Sequence, residues 1–291
     1  SSVGGSAENM EPLFTGGVPG VFVVLVAVPF LFVGFDVIPQ SASEIRIPHR
    51  MVGTLLVVSV FCATAWYVMV VLTAGAGLSA AELSASELAS ADSVAALWGS
   101  DAMGDLLVLG GIAGLLTSWN AFLIGGSRLV FAMAGARMLP AWFGHLHPRF
   151  RTPSNAVLFI GALSLAAPFF GRPMLVWLTN AGGMNIVAAY MLVVVSFLVL
   201  RRRDPAMERP FTVPAGVPVG VTALVLSLGL FLLYLPGMPA ALGWPHEWLM
   251  VALWWAAGAA LLWRLPRIAP GADAERRLVE AMDARAGAPR T

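Results

Sequence analysis

An apolar segment from Val21 to Gln40 is long enough to cross a membrane, yet a glycine and a carboxylate interrupt it. The segment reads VFVVLVAVPFLFVGFDVIPQ, with Gly34 and Asp36 in the interrupted part. A bilayer core of about 30 Å requires about 20 apolar residues per helix. A charged side chain and a helix break are both costly at that depth. The pattern therefore indicates a broken transmembrane helix that forms a site for a small solute or ion.

The rest of the chain has the composition of an integral membrane protein. Hydrophobic residues make up 58% of its 291 residues and charged residues only 11%, far from the balance of a soluble domain. An all-α, polytopic membrane fold is therefore predicted, with each span marked by an apolar run between charged or Pro- and Gly-rich breaks. The seven predicted spans are Val18–Gln40, Pro48–Ala74, Leu106–Ala134, Pro153–Phe170, Leu175–Leu200, Val217–Leu235 and Trp248–Leu265.

The arginines indicate how the chain is oriented. They concentrate in the loops after the first, third and fifth spans and after the last one, and basic loops remain on the cytoplasmic side. We therefore predict a protein of the plasma membrane with an extracellular loop over 1–17, a transmembrane domain over 18–265 and a cytoplasmic tail over 266–291. Because the first residues resemble a loop and no initiator methionine is present, we expect the chain to start inside a longer protein.

Several classes of function are disfavoured by the composition and by the motifs that the sequence lacks. A net charge of +1 predicts no nucleic-acid partner. The sequence has no G-x-S-x-G, no H-E-x-x-H and no glycine-rich phosphate loop, so we predict that it is not an enzyme. Cys62 is the only cysteine, and the histidines lack the spacing of metal ligands on a helix. Neither a metal site nor a cofactor is expected.

The two halves of the broken helix should offer complementary polar groups. The first half-helix should end near Leu31 with unpaired carbonyls that attract an ammonium group, and the second should begin near Asp36 with unpaired N–H groups. Gly34 permits the break because glycine adopts conformations that other residues avoid. Asp36 has two interpretations, an N-cap of the second half-helix or a group that couples to protons or cations. The sequence leaves both open, and one residue can do both.

Two further spans combine small and polar residues. In the third span, the glycines around Asn120 favour close helix packing with interhelical hydrogen bonds, and a cavity-lining role for Asn120 or Phe122 is the alternative. In the fifth span, we interpret a similar patch as a packing or hinge element. That patch comprises Asn180, Gly182, Gly183 and Asn185.

The loop from Ala74 to Gly104 is rich in Ala, Ser and Glu. Its composition predicts a short surface helix. Ser84 and Glu87 fit the spacing of a capping box at the start of that helix.

Three segments resemble the amino acid-polyamine-organocation superfamily of permeases. The most specific is GGSRLVFAMAGARMLPAWFGHLHPRFRTPSNAV, Gly125–Val157, in which a helix end and a short amphipathic segment precede a basic loop. FVGFDVIPQSASEI, Phe32–Ile45, resembles the broken sixth helix of that family. LRRRDPAMERPFTVP, Leu200–Pro214, resembles its loop between helices ten and eleven. One departure is that the A-R-D-G usual after the eighth helix reads Ala134-Gly135-Ala136-Arg137.

The resemblance implies a LeuT-like architecture in which helices one to five and six to ten form two inverted repeats. This chain would hold helices six to twelve, which are the second repeat and two peripheral helices. By resemblance, Phe30 would be an aromatic gate and the carbonyls around Leu31 and Val33 would receive the amino group of the substrate. Asp36 would be the acidic residue after the break, and Phe122 would be a site aromatic on helix eight.

We therefore predict the carboxyl-terminal part of a secondary active permease for amino acids or related amines, coupled to protons and working by alternating access. Its partners would be the amino acid or amine, protons and the lipid bilayer. The alternative is a sensor of amino acids, or an inactive truncated subunit, on the same scaffold. Asp36 is the predicted proton-coupling residue, and the predicted substrate-binding residues are Phe30, Leu31, Val33, Gly34, Asn120 and Phe122.

Overall fold

Helices make up the regular structure of the described chain. A computed structural model describes residues 5–11, 16–40, 48–135, 138–209 and 211–268. Short 3-10 helices at Ala7–Met10, Ala141–Gly144 and Ala167–Phe170 accompany the α-helices in these ranges. The predicted all-α class is confirmed. In chain order the α-helices are α1 (Gly17–Leu31), α2 (Val37–Gln40), α3 (His49–Gly77), α4 (Ala80–Ala85), α5 (Ala89–Trp98), α6 (Asp101–Gly135), α7 (Ser154–Ala166), α8 (Arg172–Arg203), α9 (Gly216–Leu233) and α10 (His246–Ile268).

Four of the described helices are long and apolar enough to cross a membrane, and these are α3, α6, α8 and α9. Two shorter apolar segments, Gly17–Leu31 and Ser154–Phe170, accompany them. The long helices expose large apolar side chains, as at Phe61 (71%) and Leu115 (72%). Such faces suit hydrocarbon rather than water. The chain is an integral membrane protein, while the count of seven spans and the domain boundaries stay predictions.

The helices pack in two groups that the broken segment connects. In the first group, α1, α9 and α10 pack against α8. In the second, α5 lies between α3 and α6, and α6 also packs against α7. The segment that begins with α1 in the first group continues into α2, which contacts α3 and α6 in the second. The core of the first group is formed by Val26, Ala181, Met184, Val187, Tyr234, Leu242 and Val251.

The loop between α3 and α6 contains two short helices, α4 and α5, rather than one. The capping box at the start of α4 is formed by Ser79 and Glu82, so the predicted pairing of Ser84 with Glu87 is wrong. The Ser79 N–H donates to the Glu82 carboxylate at 2.8 Å, and the Ser79 hydroxyl accepts from the Glu82 N–H at 3.4 Å. Ser84 lies inside α4, where its hydroxyl donates to the carbonyl of Ala81. A serine inside a helix cannot cap its start.

Candidate functional site

The predicted break in the first membrane segment is present. α1 ends at Leu31, a turn covers 32–36, and α2 begins at Val37. Gly34 has a φ of +126°, a conformation that side-chain-bearing residues rarely adopt. Pro29 lies inside α1 and has no N–H to donate to the preceding turn. A proline and a glycine within six residues therefore account for the end of α1.

Asp36 closes the turn from within. Its Oδ1 accepts a hydrogen bond from the Gly34 N–H at 3.0 Å. This contact reaches back into the turn. The carboxylate is half-buried and lies directly before α2. An acidic group is thus fixed at the point where the membrane segment is broken.

All three tyrosines of the chain contact the broken segment, and sequence reasoning did not identify any of them. The Tyr234 hydroxyl donates to the Val26 carbonyl of α1 at 2.8 Å, and the Tyr67 hydroxyl donates to the Leu31 carbonyl at 2.7 Å. The Tyr190 ring packs on Phe35, with centroids 5.7 Å apart. The sequence does contain a signal for them, since each tyrosine lies inside a predicted span. A tyrosine hydroxyl that is buried in a span requires a hydrogen-bond partner there.

Tyr190 connects α8 to the acidic end of the break. Its ring packs on Phe35, which directly precedes Asp36 in the turn. Its hydroxyl is buried and has no hydrogen-bond partner among the residues that the structure describes. A buried hydroxyl without a partner is costly, so this group is available to a donor or acceptor that enters the site.

The backbone carbonyls at the end of α1 differ in whether they accept a hydrogen bond and from which donor. The Phe30 carbonyl accepts from the Val33 N–H at 3.2 Å, and the Leu31 carbonyl accepts from Tyr67. Within the described ranges, no hydrogen bond reaches the Val33 carbonyl. A cavity of about 210 Å³ adjoins this part of the chain. It is lined by Leu31, Phe32, Val33, Phe35, Ile38, Ser59, Val60, Ala63 and Tyr67.

The structure brings one of the two predicted α6 residues to the break. A Cβ built on Gly34 would lie 3.9 Å from the ring of Phe122. Asn120 is exposed and lies two residues from Phe122, which is about 200° of helix rotation. It therefore points away from the face that meets Gly34. Phe30 lies one residue before the end of α1 and is 41% exposed.

The polar patch of α8 acts in helix packing, as interpreted from the sequence. The Asn180 side-chain amide donates to the Glu247 carboxylate of α10 at 2.8 Å, and the Asn185 side-chain oxygen Oδ1 accepts from the Trp255 indole N–H at 2.8 Å. Gly183 lies directly beneath the Tyr234 hydroxyl. Glu247 is only 4% exposed and also accepts from the Gly243 N–H. The predicted spans missed Glu247, which lies one residue before the last of them.

The groups at the break are suited to a cation that donates hydrogen bonds. The carboxyl end of a helix carries partial negative charge on its last carbonyls. Asp36 adds a carboxylate, and the Val33 carbonyl is an acceptor. A primary ammonium group carries positive charge and three donors, so it satisfies both kinds of group.

Comparisons with known proteins identify the family of the chain. The family model described as "Amino acid permease" matches residues 2–257. The methylthioribose transporter of Bacillus subtilis (strain 168) is 27% identical over 86% of this chain and 52% of its own length. The branched-chain amino acid permease BcaP of the same organism is 28% identical, with 84% of this chain and 52% of its own length covered. The vacuolar cationic amino acid transporter 8 of Arabidopsis thaliana is 28% identical, with 90% and 44% covered.

These relatives are named as transporters rather than enzymes. The chain spans about half the length of the relatives it matches, with 52% of each of the first two covered. A family match over residues 2–257 extends across most of the chain. The chain belongs to the amino acid permease family of membrane proteins.

Proposed function

We propose that the protein containing this chain is a secondary active transporter of amino acids or related amines in the plasma membrane. The observation that carries the proposal is the break between α1 and α2, where carbonyls and a carboxylate meet inside a membrane segment. Broken helices in transporters serve as binding sites because their unwound backbone offers polar groups at membrane depth. The names of the relatives support amino acids as the class of substrate.

In this proposal, the amino group of the substrate binds at the end of α1. The Leu31 and Val33 carbonyls are the acceptors, and Gly34 keeps the approach to them open. Phe30 and Phe122 are the aromatic walls, since both are about two-fifths exposed at the break, with 41% and 43%. Asn120 faces away from this site and is expected to serve helix packing.

Proton coupling is assigned to Asp36. A carboxylate in a membrane segment is costly unless a counter-charge or a proton neutralises it. A substrate ammonium neutralises Asp36 while it is bound, and a proton takes its place when the substrate leaves. The Tyr190 hydroxyl has no hydrogen-bond partner within the described ranges, and we propose that it donates to the carboxylate during this exchange. We expect Asp36→Asn to remove the pH dependence of uptake, whereas Asp105→Asn, an exposed acid on α6, retains it.

Alternating access would use the broken segment as the connection between two packed groups of helices. α1 packs with α8 and α9, whereas α2 contacts α3 and α6. A relative movement of the two groups therefore changes the geometry of residues 32–36 directly. We propose that this movement opens the site alternately to each side of the membrane.

The proposed topology places residues 1–17 outside the cell and residues 266–291 in the cytoplasm. Cys62 can be replaced by serine, which leaves this chain without a cysteine. New cysteines at Glu8 and near the carboxyl terminus can then be labelled in intact cells with a membrane-impermeant maleimide. Labelling at Glu8 alone is expected, and labelling at the carboxyl-terminal position alone would contradict the orientation.

The test of transport uses the full-length protein in liposomes. Vesicles loaded with an unlabelled amino acid should take up the labelled one by counterflow, and uptake should depend on the amino acid in the lumen. Counterflow by the wild type that is lost in Gly34→Ala would support the site. Saturable binding of amino acids without counterflow would contradict transport and favour the sensor.

A further inference from the structure

Tyr67 holds a carbonyl that the proposed function assigns to the substrate. Its hydroxyl reaches from α3 and donates to the Leu31 carbonyl at 2.7 Å. Its ring packs edge-on against Phe32, with centroids 5.4 Å apart. Tyr67 therefore joins α3 to the last residue of α1 through a hydrogen bond and to the first residue of the turn through an aromatic pair.

The Leu31 carbonyl requires a donor for physical reasons. The last carbonyls of a helix have no partner within the helix, and no water is available for them in hydrocarbon. The neighbouring Phe30 carbonyl accepts its hydrogen bond from a nearby backbone group, the Val33 N–H. The Leu31 carbonyl instead uses a side chain from another helix, 36 residues away in the sequence. A donor that comes from another helix can withdraw without disturbing the backbone of the break.

We infer that the Tyr67 hydroxyl stands in for the substrate ammonium, and that a bound ammonium displaces it from the Leu31 carbonyl. The inference rests on the proposed function, because it concerns the same site. The ammonium forms a charge-assisted hydrogen bond, which is stronger than the bond from a neutral phenol. The cavity of about 210 Å³ beside Leu31 is also lined by Tyr67, so the displaced phenol has room to move.

The displacement has a consequence for affinity and for selectivity. A ligand gains its bond to Leu31 only when the bond from Tyr67 is lost, so Tyr67 lowers the affinity for every ligand that donates there. A ligand that cannot donate a hydrogen bond does not displace Tyr67. A quaternary ammonium has the same charge as a primary one but has no N–H.

The discriminating variant is Tyr67→Phe, which keeps the ring against Phe32 and removes only the hydroxyl. The matched control is Ser59→Ala. Ser59 lines the same cavity, but its hydroxyl donates to the Leu56 carbonyl of its own helix at 2.9 Å. Both variants are made in the full-length protein, and their thermal unfolding is compared with that of the wild type to establish that they fold.

Equilibrium binding is measured for L-leucine, L-methionine and L-arginine and for the N,N,N-trimethyl derivative of each. We expect Tyr67→Phe to bind the primary amines about fivefold more tightly, which is the value of one ordinary hydrogen bond. Its affinity for the trimethyl derivatives should equal that of the wild type, and Ser59→Ala should match the wild type for both kinds of ligand.

Two results would overturn the displacement. The first is unchanged or weaker binding of the primary amines by Tyr67→Phe, which would make Tyr67 a purely structural contact. The second is an equal gain in affinity for the trimethyl derivatives, which would mean that the volume freed by removing the hydroxyl raises the affinity, rather than the N–H donor of the ligand. A wild type that binds none of the probes would instead contradict the proposed function itself, and the displacement with it.

Discussion

Replacing Gly183 with alanine tests the packing that holds α8 against α1 and α9. A Cβ at this position would lie 2.5 Å from the Tyr234 hydroxyl oxygen and 3.4 Å from the carbon that bears it. Tyr234 is 0% exposed, and its hydroxyl donates to the Val26 carbonyl at 2.8 Å. The ring therefore has no open space to move into, and the hydrogen bond to Val26 breaks if the ring shifts.

The expected magnitude follows from these two effects. Overpacking of a filled core costs about 1–3 kcal/mol, and a lost hydrogen bond costs about 1 kcal/mol. We expect Gly183→Ala to lower the free energy of unfolding by about 3 kcal/mol relative to Gly182→Ala. Gly182 is the matched control, because a Cβ there meets no atom within 4 Å and the gain in helix propensity is the same.

A double variant makes the prediction specific. Tyr234→Phe alone should cost about 1 kcal/mol, since it removes one hydrogen bond. In the Tyr234→Phe background the nearest atom to the new Cβ is the ring carbon at 3.4 Å, which is an ordinary contact. Adding Gly183→Ala should then cost little, and the pair should show an interaction of about 3 kcal/mol in a double-mutant cycle.

The assay is SDS-induced unfolding of the purified full-length protein in detergent micelles. Equal stability of the Gly183→Ala and Gly182→Ala variants would refute the steric argument. Additive effects in the double variant would refute the assignment of the clash to the Tyr234 hydroxyl.

Three further predictions follow from other contacts. Gly34→Ala should weaken amino acid binding by about 5- to 150-fold, because its φ of +126° costs a side-chain-bearing residue about 1–3 kcal/mol; binding at wild-type affinity, measured by calorimetry, would contradict this. Asn180→Ala should lower the free energy of unfolding by about 2 kcal/mol, because the buried Glu247 carboxylate loses a donor; a loss no larger than that of a surface variant in the SDS assay would count against it. The Ser79 hydroxyl lowers the pKa of Glu82, so the cap of α4 should be fully formed above the ordinary pKa of 4.5 and weaken as the pH falls through the lowered value. Hydrogen exchange of α4, corrected for intrinsic rates, should show this loss in the wild type and not in Glu82→Gln.

The break was predictable because its causes are local. A glycine, two prolines and an aspartate within a single apolar segment specify where α1 ends, and no distant residue is needed to read them. The packing role of the α8 patch was predictable for a similar reason, since small residues in a membrane helix allow close helix packing and amide side chains form hydrogen bonds between helices. The capping box was placed wrongly because the loop contains the spacing twice, at Ser79–Glu82 and Ser84–Glu87, and only the position of the helix decides between them.

The tyrosine contacts were not predictable, because they join residues far apart in the sequence. Tyr234 and Val26 are 208 residues apart, and Tyr67 and Leu31 are 36 apart. A hydropathy pattern gives the span in which each tyrosine lies but not the direction in which it points. The sequence also did not indicate that Phe122 lies near Gly34 while Asn120 points away, because this depends on which face of α6 meets the break.

In the proposed mechanism, Asp36 links the movement of a proton to the movement of an amine. This role can be measured as the accumulation of a labelled amino acid in liposomes that contain the full-length protein, with an acidic interior and the membrane potential clamped at zero, because a proton that leaves then exchanges for an amine that enters. We expect the wild type to accumulate the amino acid above equilibrium and Asp36→Asn only to equilibrate it, with counterflow retained because an asparagine oxygen can still accept from the Gly34 N–H. Accumulation by Asp36→Asn equal to that of the wild type would show that Asp36 does not couple the two movements.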